Sequence, residues 1–444
     1  MSALANERAA ALLTGTYRQA LAALSGRALV RAALARTPIP ALCVRVFALG
    51  KAACGMAEGA ADALRVEFSG LIAAHERAPH PREFELWTGE HPLPGPASAR
   101  AGEALLAAAE RCAPEDFALF LLSGGGSAIA ALPAEGLSPE DLAATTAALL
   151  RSGASIDALN AVRKHLTRLG GGQLAARCPA RKALALVLSD VASGELSALA
   201  SGPTLPDPTS FADALAVAEG ASAAAGALIP RRVLDHLRAG SAGHLAETPG
   251  PGDARLTHVH HRVLATPHAL AEEARRQAER AGLAAHVVAS GFDGDFEALA
   301  AHLAERAQSS LAAATPTLLI ATGEPRLCVP PRAGEGGRMQ QLALRLARDL
   351  SGADFCALCA GSDGRDGATE FAGALVDGQS AGRARARGFD LDALLERCDA
   401  TRAVRALDLG LRRFSSGTNL TDLALVLCRP TALADARPCP SPTP

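Results

Sequence analysis

The stretch FALFLLSGGGSAIAAL, residues 117–132, carries an apolar run that stops at Ser123, three successive glycines, Ser127 and a second apolar run. Three absent side chains in a row allow a close approach to the backbone. The arrangement recurs along the chain. VRVFALGKAACGMAEGAADAL runs apolar to Leu49 and turns at Gly50-Lys51, and KALALVLSDVASGELSALASGP turns at Ser189-Asp190. TPTLLIATGEP ends at Gly323-Glu324, DFCALCAGSDGRDG ends at Gly361-Ser362-Asp363, and DLALVLC is the last such run. Long Ala/Leu/Arg stretches with helical character, such as 267–281 and 297–313, lie between these runs. Short apolar strands alternating with helices predict an α/β fold with a mainly parallel sheet covered on both faces. In such sheets ligands sit beyond the carboxyl ends of the strands. Lys51, the glycine loop, Asp190, Glu324 and Asp363 fall there.

A chain of 444 residues exceeds one typical domain. The stretch LRAGSAGHLAETPGPGDARLTH, residues 237–258, is rich in Gly and Pro and lacks periodicity. It divides the chain into two expected domains, 1–240 and 241–444, each a sheet with helices, with a cleft between them. The tail after Arg429, ending ARPCPSPTP, is expected to be disordered. A net charge of −2 and an aromatic content of 3% argue against a nucleic-acid partner or a membrane surface. Glu7, Arg8 and Arg18 interrupt the apolar N-terminal stretch, which reads as an amphipathic helix rather than a signal peptide. With no apolar run long enough for a bilayer, a soluble cytoplasmic protein is expected, monomer or homodimer.

The ten cysteines are mostly scattered singly, as small buried hydrophobes are. Cys356 and Cys359 fall three apart in an apparent strand, where they point to opposite faces, so a redox or zinc pair is disfavoured. HVHH, residues 258–261, reads as a strand edge for want of further ligands nearby.

Glycine loops between strand and helix commonly cradle phosphates, because backbone N–H groups and the helix start face the anion. The alternative is a tight turn packed against a neighbouring helix. The dinucleotide fingerprint would need a third glycine near Ile129, and the Walker pattern a glycine at Arg45; protein-kinase signatures are absent as well. GEGGRMQQLALRLA sets Arg338 after a glycine pair at a helix start, where a guanidinium can fork onto a phosphate or carboxylate. Asp363 and Asp366, among glycines after a strand, can hold hydrated Mg²⁺. A lysine, an arginine, glycine loops and carboxylates at strand ends together point to phosphoryl transfer.

These stretches, with GEHPLPG, SGASIDALNAVRKHLTRLGGGQLA and SSGTNLTDLAL, resemble the glycerate 2-kinase family with a C-terminal MOFRL domain over nearly the whole chain. The resemblance implies a Rossmann-like N-terminal α/β domain, a MOFRL-type C-terminal α/β domain, and phosphorylation of D-glycerate by ATP to 2-phosphoglycerate in an interdomain cleft. Some relatives carry the label hydroxypyruvate reductase, so an NAD(P)-dependent reductase is the alternative, beside a kinase for a related sugar acid. Lys51 and Arg338 match the family's basic residues thought to serve catalysis. Ser123, Gly124, Gly125, Gly126, Ser127, Asn160, Arg163, Lys164, Asp190 and Glu324 match as well, and Asp363 is kept. We expect the glycine loop and Lys51 on anionic groups and Arg338 on the transferring phosphoryl group. Asp190 is expected on Mg²⁺ or on the C2 hydroxyl proton, with Asp363 and Glu324 as second choices, and His91 is expected to be a loop histidine. The chain departs from the family at Ser193-Gly194-Glu195, where one acidic group is lost, and after the arginine, where Met339 and Gln341 replace the family's usual Asn and Glu on either side of Gln340.

Overall fold

In the computed structural model, which describes residues 3–429 apart from 38, 40, 192–195, 226–228 and 314, the apolar runs form two six-stranded sheets. The first contains β1 (Cys43–Leu49), β2 (Glu67–Ala74), β3 (Phe84–Thr88), β4 (Phe117–Leu122), β5 (Lys182–Leu188) and β6 (Val259–Ala265). Its order is β3-β2-β1-β4-β5-β6, and every pairing is parallel. The apolar sequence of β1, broken by Arg45, and the unbroken apolar run of β4 follow from burial of both faces; Phe47 and Phe120 stack there with ring centroids 5.3 Å apart. The chain winds outward from β1 to β3, then restarts at β4 on the other side of β1. This strand order is the dinucleotide-binding one, and its switch point lies between β1 and β4. A satellite core around Leu149, Leu159, Val162, Phe211, Val233 and Leu237 is built by the helices Pro139–Arg151, Ile156–Leu166, Phe211–Ala225 and Arg231–Ser241.

The second sheet contains β7 (Ala284–Phe292), β8 (Thr317–Gly323), β9 (Phe355–Gly361), β10 (Phe371–Asp377), β11 (Gly410–Arg412) and β12 (Asp422–Cys428), in the order β11-β10-β9-β12-β8-β7. The expectation of a mainly parallel sheet fails here, because only β7 and β8 pair in parallel. Residues 362–370 between β9 and β10 are too few for a crossover helix, which forces an antiparallel return. The final strand, β12, then enters between β8 and β9, antiparallel to both. Buried strands read alike in either direction, so composition did not separate the cases.

Nor does the chain divide at residue 240. One compact unit comprises Leu24–Thr266 with Gly417–Asn419; the other takes the chain up to Ala23, Pro267–Ser416 and the stretch from Leu420. The Gly/Pro-rich stretch 237–258 is an internal connection of the first unit, because β6 beyond it joins β5. The N-terminal helix Ala3–Ala23 belongs with the second sheet: Leu13, Tyr17 and Ala20 are fully buried, and Tyr17 donates to the Gly361 carbonyl at 2.6 Å. The stretch Gly417–Asn419 reaches the first unit by a hydrogen bond from Gly26 N–H to the Gly417 carbonyl. Among the described residues no helix is long and apolar enough to cross a membrane. The tail expected to be disordered lies outside the described residues beyond Arg429.

Candidate active site

In the first unit, the turns after β1, β4 and β5 meet at the carboxyl edge of the sheet. The Lys51 N–H donates to the Gly124 carbonyl at 3.0 Å, and Ser123 N–H donates to Leu49 O at 2.9 Å. Ser123 is fully buried, and its hydroxyl accepts from Ala52 N–H at 3.0 Å. That serine braces the two turns and is withdrawn as a ligand group. Each of the three glycines has a neighbour that a side chain would displace. A Cβ at Gly124 would collide with the Asp190 carboxylate and the Asn419 amide. At Gly125, where φ is +84°, it would stand 3.1 Å from Lys51 Cγ and 3.3 Å from the His91 ring. At Gly126 it would stand 2.7 Å from Ala200 Cβ and 2.9 Å from Leu49 Cγ. The protein's own side chains therefore crowd the loop, and among them are Lys51 and Asp190. The N–H groups of residues 124–127 have no hydrogen-bond partner among the described residues. Packing explains the missing side chains, and the backbone still presents donors to an anion.

The loop continues into the short helix Gly126–Ile129. Ser127 Oγ lies 2.7 Å from Ser201 Oγ, which donates to Asn160 Oδ1 at 3.1 Å. Ala200 and Ser201 both adopt left-handed backbone, at φ +49° and +57°, a strain that concentrates at functional sites. Asn160 is buried and ties the loop to the helix Ile156–Leu166, so its role is to hold the loop's shape. The next residues on that helix diverge. Lys164 is buried, with Nζ 3.2 Å from Asp207 Oδ1, and Asp207 also accepts from the Thr209 and Thr248 hydroxyls. Its charge is spent inside the unit, and Lys164 is withdrawn from ligand binding. Arg163 instead lines a pocket with Ser127, Pro94, Thr145, Thr146 and Thr167. Burial lowers its pKa to about 10.

Asp190 follows β5 and accepts from Asn419 Nδ2 at 2.9 Å, across 229 residues of sequence. Asn419 stands in SSGTNLTDLAL, where a lone Asn in a loop carries no periodic signal of its own. Asp190 is the residue here that could hold Mg²⁺. Among the described residues no group of three or more histidine, cysteine or acidic side chains is arranged around a cation. A single oriented carboxylate fits Mg²⁺, which keeps several waters and binds through one or two carboxylates plus substrate phosphates. The departure at Ser193-Gly194-Glu195 lies outside the described residues. Edge strand β6 carries the histidine run, where His261 Nε2 lies 2.9 Å from Thr204 Oγ1. Cys356 and Cys359 are buried free thiols in β9, raised by burial, the first to about 12.

In the second unit, Arg338 opens the helix Arg338–Asp349. Its Nε donates to Asp422 Oδ2 at 2.7 Å and its Nη2 lies 3.5 Å from Glu324 Oε2. Asp422 at the start of β12 stands in register with Gly323 and Gly361, so Glu324, Asp363 and Asp422 share one edge of this sheet. Burial works against the charged guanidinium, yet Asp422 and then Glu324 outweigh it and raise the pKa of Arg338. Burial likewise pushes the Asp422 carboxyl up to about 7, against the pull of Arg338. Asp363 is half-buried, and its Oδ1 accepts from the Arg365 N–H at 3.0 Å. The expectation that Asp366 joins it on Mg²⁺ fails. Asp366 is buried and caps the arginine's helix, accepting from the N–H groups of Met339 at 2.9 Å and Gln340 at 2.8 Å. Met339, Gln340 and Gln341 are all buried. Gln341 Nε2 donates to the Leu395 carbonyl at 2.5 Å, a bond the family's glutamate could not make when ionised. This departure therefore serves packing of the helix rather than the surroundings of Arg338.

A family model described as "Domain of unknown function (DUF4147)" matches residues 12–238, and one described as "MOFRL family" matches residues 317–422. The chain is 34% identical over 395 residues to the D-glycerate 2-kinase of Thermotoga maritima, covering 86% of this chain and 90% of that one. It is 32% identical over 391 residues to the glycerate 2-kinase of Pyrococcus horikoshii, covering 86% and 87%. The crystal structure of glycerate kinase from Thermotoga maritima aligns with a TM-score of 0.79 at 32% identity, over 94% of this chain and 99% of that one. On these matches the chain belongs to the glycerate 2-kinase family, a DUF4147 domain followed by a MOFRL domain.

Proposed function

We propose that this chain transfers a phosphoryl group from ATP to the C2 hydroxyl of D-glycerate, giving 2-phosphoglycerate. The observation that carries the reading is the carboxyl edge at the β1/β4 switch point. There Lys51, loop N–H groups without partners among the described residues and an oriented Asp190 converge, in a chain whose relatives bear the name of that kinase. Phosphoryl transfer needs positioning and charge neutralisation more than covalent help. The loop N–H groups and Lys51 hold anionic groups of the substrates. Arg338, fixed by Asp422 and Glu324, meets the negative charge that spreads over the phosphoryl group in the transition state. Mg²⁺, held through Asp190, would neutralise phosphate charge when bound. The need for ATP is also the reason to place the reaction in the cytoplasm.

The alternative of a hydroxypyruvate reductase draws on the strand order, which is that of dinucleotide-binding sheets. Against it, the turn after β1 reads Gly50-Lys51-Ala52-Ala53-Cys54-Gly55, with Ala52 where the fingerprint requires its second glycine. Purified protein given D-glycerate, ATP and Mg²⁺ should release ADP in a coupled assay. The same protein given hydroxypyruvate and NADPH should not consume NADPH. The opposite pair of results would overturn the kinase reading.

A further inference from the structure

We propose that His91 contacts the substrate, its ring Nε2 donating a hydrogen bond to an anionic oxygen held at the glycine loop. The proposal rests on the kinase reading for the identity of that anion. It adds a ligand group from a strand that the reading does not use.

His91 follows β3, the outer strand of the first sheet, and lies in a loop as the sequence suggests. β3 stands three strand positions from β4, roughly 14 Å at the usual spacing of paired strands. The ring nevertheless reaches the turn after β4. A Cβ at Gly125 would stand 3.3 Å from His91 Cδ2 and 3.4 Å from its Nε2, with Lys51 Cγ 3.1 Å away. His91 therefore spans the carboxyl ends of β2 and β1. Its Nε2 edge arrives at the β1/β4 switch point, where ligands of such sheets sit.

Both flanks of the ring are fixed. The Gly89 N–H donates to the Ala74 carbonyl at 3.0 Å. A Cβ at Gly89 would collide with the Ile129 carbonyl, so the end of β3 lies directly on the short helix Gly126–Ile129. Glu90 caps the helix Pro96–Glu110, its carboxylate accepting from the N–H groups of Ala97 at 3.1 Å and Ser98 at 2.7 Å. It also accepts from the buried Ser98 hydroxyl at 2.7 Å. The acid of the GEH motif is spent on that cap, and the histidine is the member left beside the glycine loop. His75, directly after β2, meets the His91 ring edge-on, with centroids 5.5 Å apart and planes at 61°. An apolar ring would pack there equally well. A ring nitrogen against a glycine turn, beside a lysine, supplies what Lys51 lacks. The ammonium is a mobile point charge, whereas Nε2–H is a donor of fixed direction. The anionic oxygen has two sources, the carboxylate of D-glycerate and a phosphate of ATP, and the test separates them.

The test uses His91→Phe, which keeps a ring against His75 and Gly125 without a donor, and His91→Gln, which keeps an N–H donor without the ring. Each is compared with wild type by calorimetric titration with D-glycerate, and separately with the non-hydrolysable analogue AMP-PNP and Mg²⁺. Loss of a hydrogen bond to a charged group predicts about a 10- to 100-fold weaker Kd in His91→Phe for one substrate or both. The arm that weakens names the source of the oxygen. His91→Gln should recover part of that loss. A merely structural ring gives the reverse order, with normal binding in His91→Phe and a lower melting temperature in His91→Gln. That order, or unchanged binding of both substrates in His91→Phe, would overturn the proposal. So would equal losses in the two variants, which would assign the effect to the ring's shape, and so would a wild type that binds neither substrate. Wild-type turnover in the ADP-release assay reports separately on the kinase reading. Binding that depends on the His91 donor without turnover would keep this contact and remove that reaction; normal turnover with unaffected binding in His91→Phe would do the opposite.

Discussion

The carboxyl edge of the first sheet and the Arg338 edge of the second treat their cations in opposite ways. At the first, Arg163 and the N–H groups of residues 124–127 lack partners among the described residues, so the edge is electrostatically incomplete without an anion. At the second, Arg338 is held between Asp422 and Glu324, and Asp366 caps its helix. An uncompensated edge gains most from a bound ground state. A compensated, rigid edge gains less on binding, and its arginine counts when new negative charge develops.

The contrast can be broken most severely through Lys164, which keeps its charge compensated while its neighbour Arg163 does not. Lys164→Met strands the buried Asp207 carboxylate and should lower unfolding stability by about 3–5 kcal/mol. The D-glycerate KM of the folded fraction should stay within about threefold of wild type, because Lys164 is withdrawn from ligand binding. Urea denaturation and steady-state kinetics measure both, and a large KM change at full stability would return Lys164 to the site.

Next in size is a pH effect at the compensated edge. Asp422 has its pKa raised by burial to about 7, above the ordinary carboxylate value. A raised folded-state pKa gives stability that is complete below about pH 4 and lost as pH rises toward 7. Wild type should therefore lose stability relative to Asp422→Asn between pH 5 and pH 8, measured as urea midpoints. A difference that does not change with pH would mean that Asp422 remains ionised throughout beside Arg338.

The glycine loop shows how much of this was legible in the sequence. The strand ends and the polar residues beyond them could be read from apolar runs alone, because burial of both sheet faces writes itself into continuous apolar sequence. The loop's neighbours could not. Asp190 meets Asn419 across 229 residues, and Asp366 reaches the helix start at Met339 across 27. Such pairings are set by topology, as is the antiparallel insertion of β12, and no local spacing encodes them. Lys164 and Arg163 are adjacent and chemically alike, yet only the fold shows that one has an internal partner.

Two smaller effects sharpen the account. Gly124→Ala forces a methyl group against Asp190 and Asn419. Overpacking of this kind costs about 1–3 kcal/mol, here as stability or as displaced Asp190. Turnover should fall even where a thermal melt shows a folded protein, and normal turnover would mean that Asp190 can move without consequence. Asp366→Asn swaps one acceptor of the helix cap for an amide donor facing Gln340, for a loss of about 1 kcal/mol in urea. A larger loss would show that the cap holds more than the helix end.

The role proposed for Arg338 is tested most directly by steady-state kinetics of Arg338→Lys, with D-glycerate and ATP each varied. Lysine keeps the charge but cannot reproduce the fork that Asp422 and Glu324 hold in place. Arginine stabilisation of a phosphoryl transition state is worth on the order of 10³-fold. The account predicts a fall of about that size in kcat, with both KM values within a few-fold of wild type. Near-normal kcat in Arg338→Lys, or a loss that appears only in KM, would contradict it.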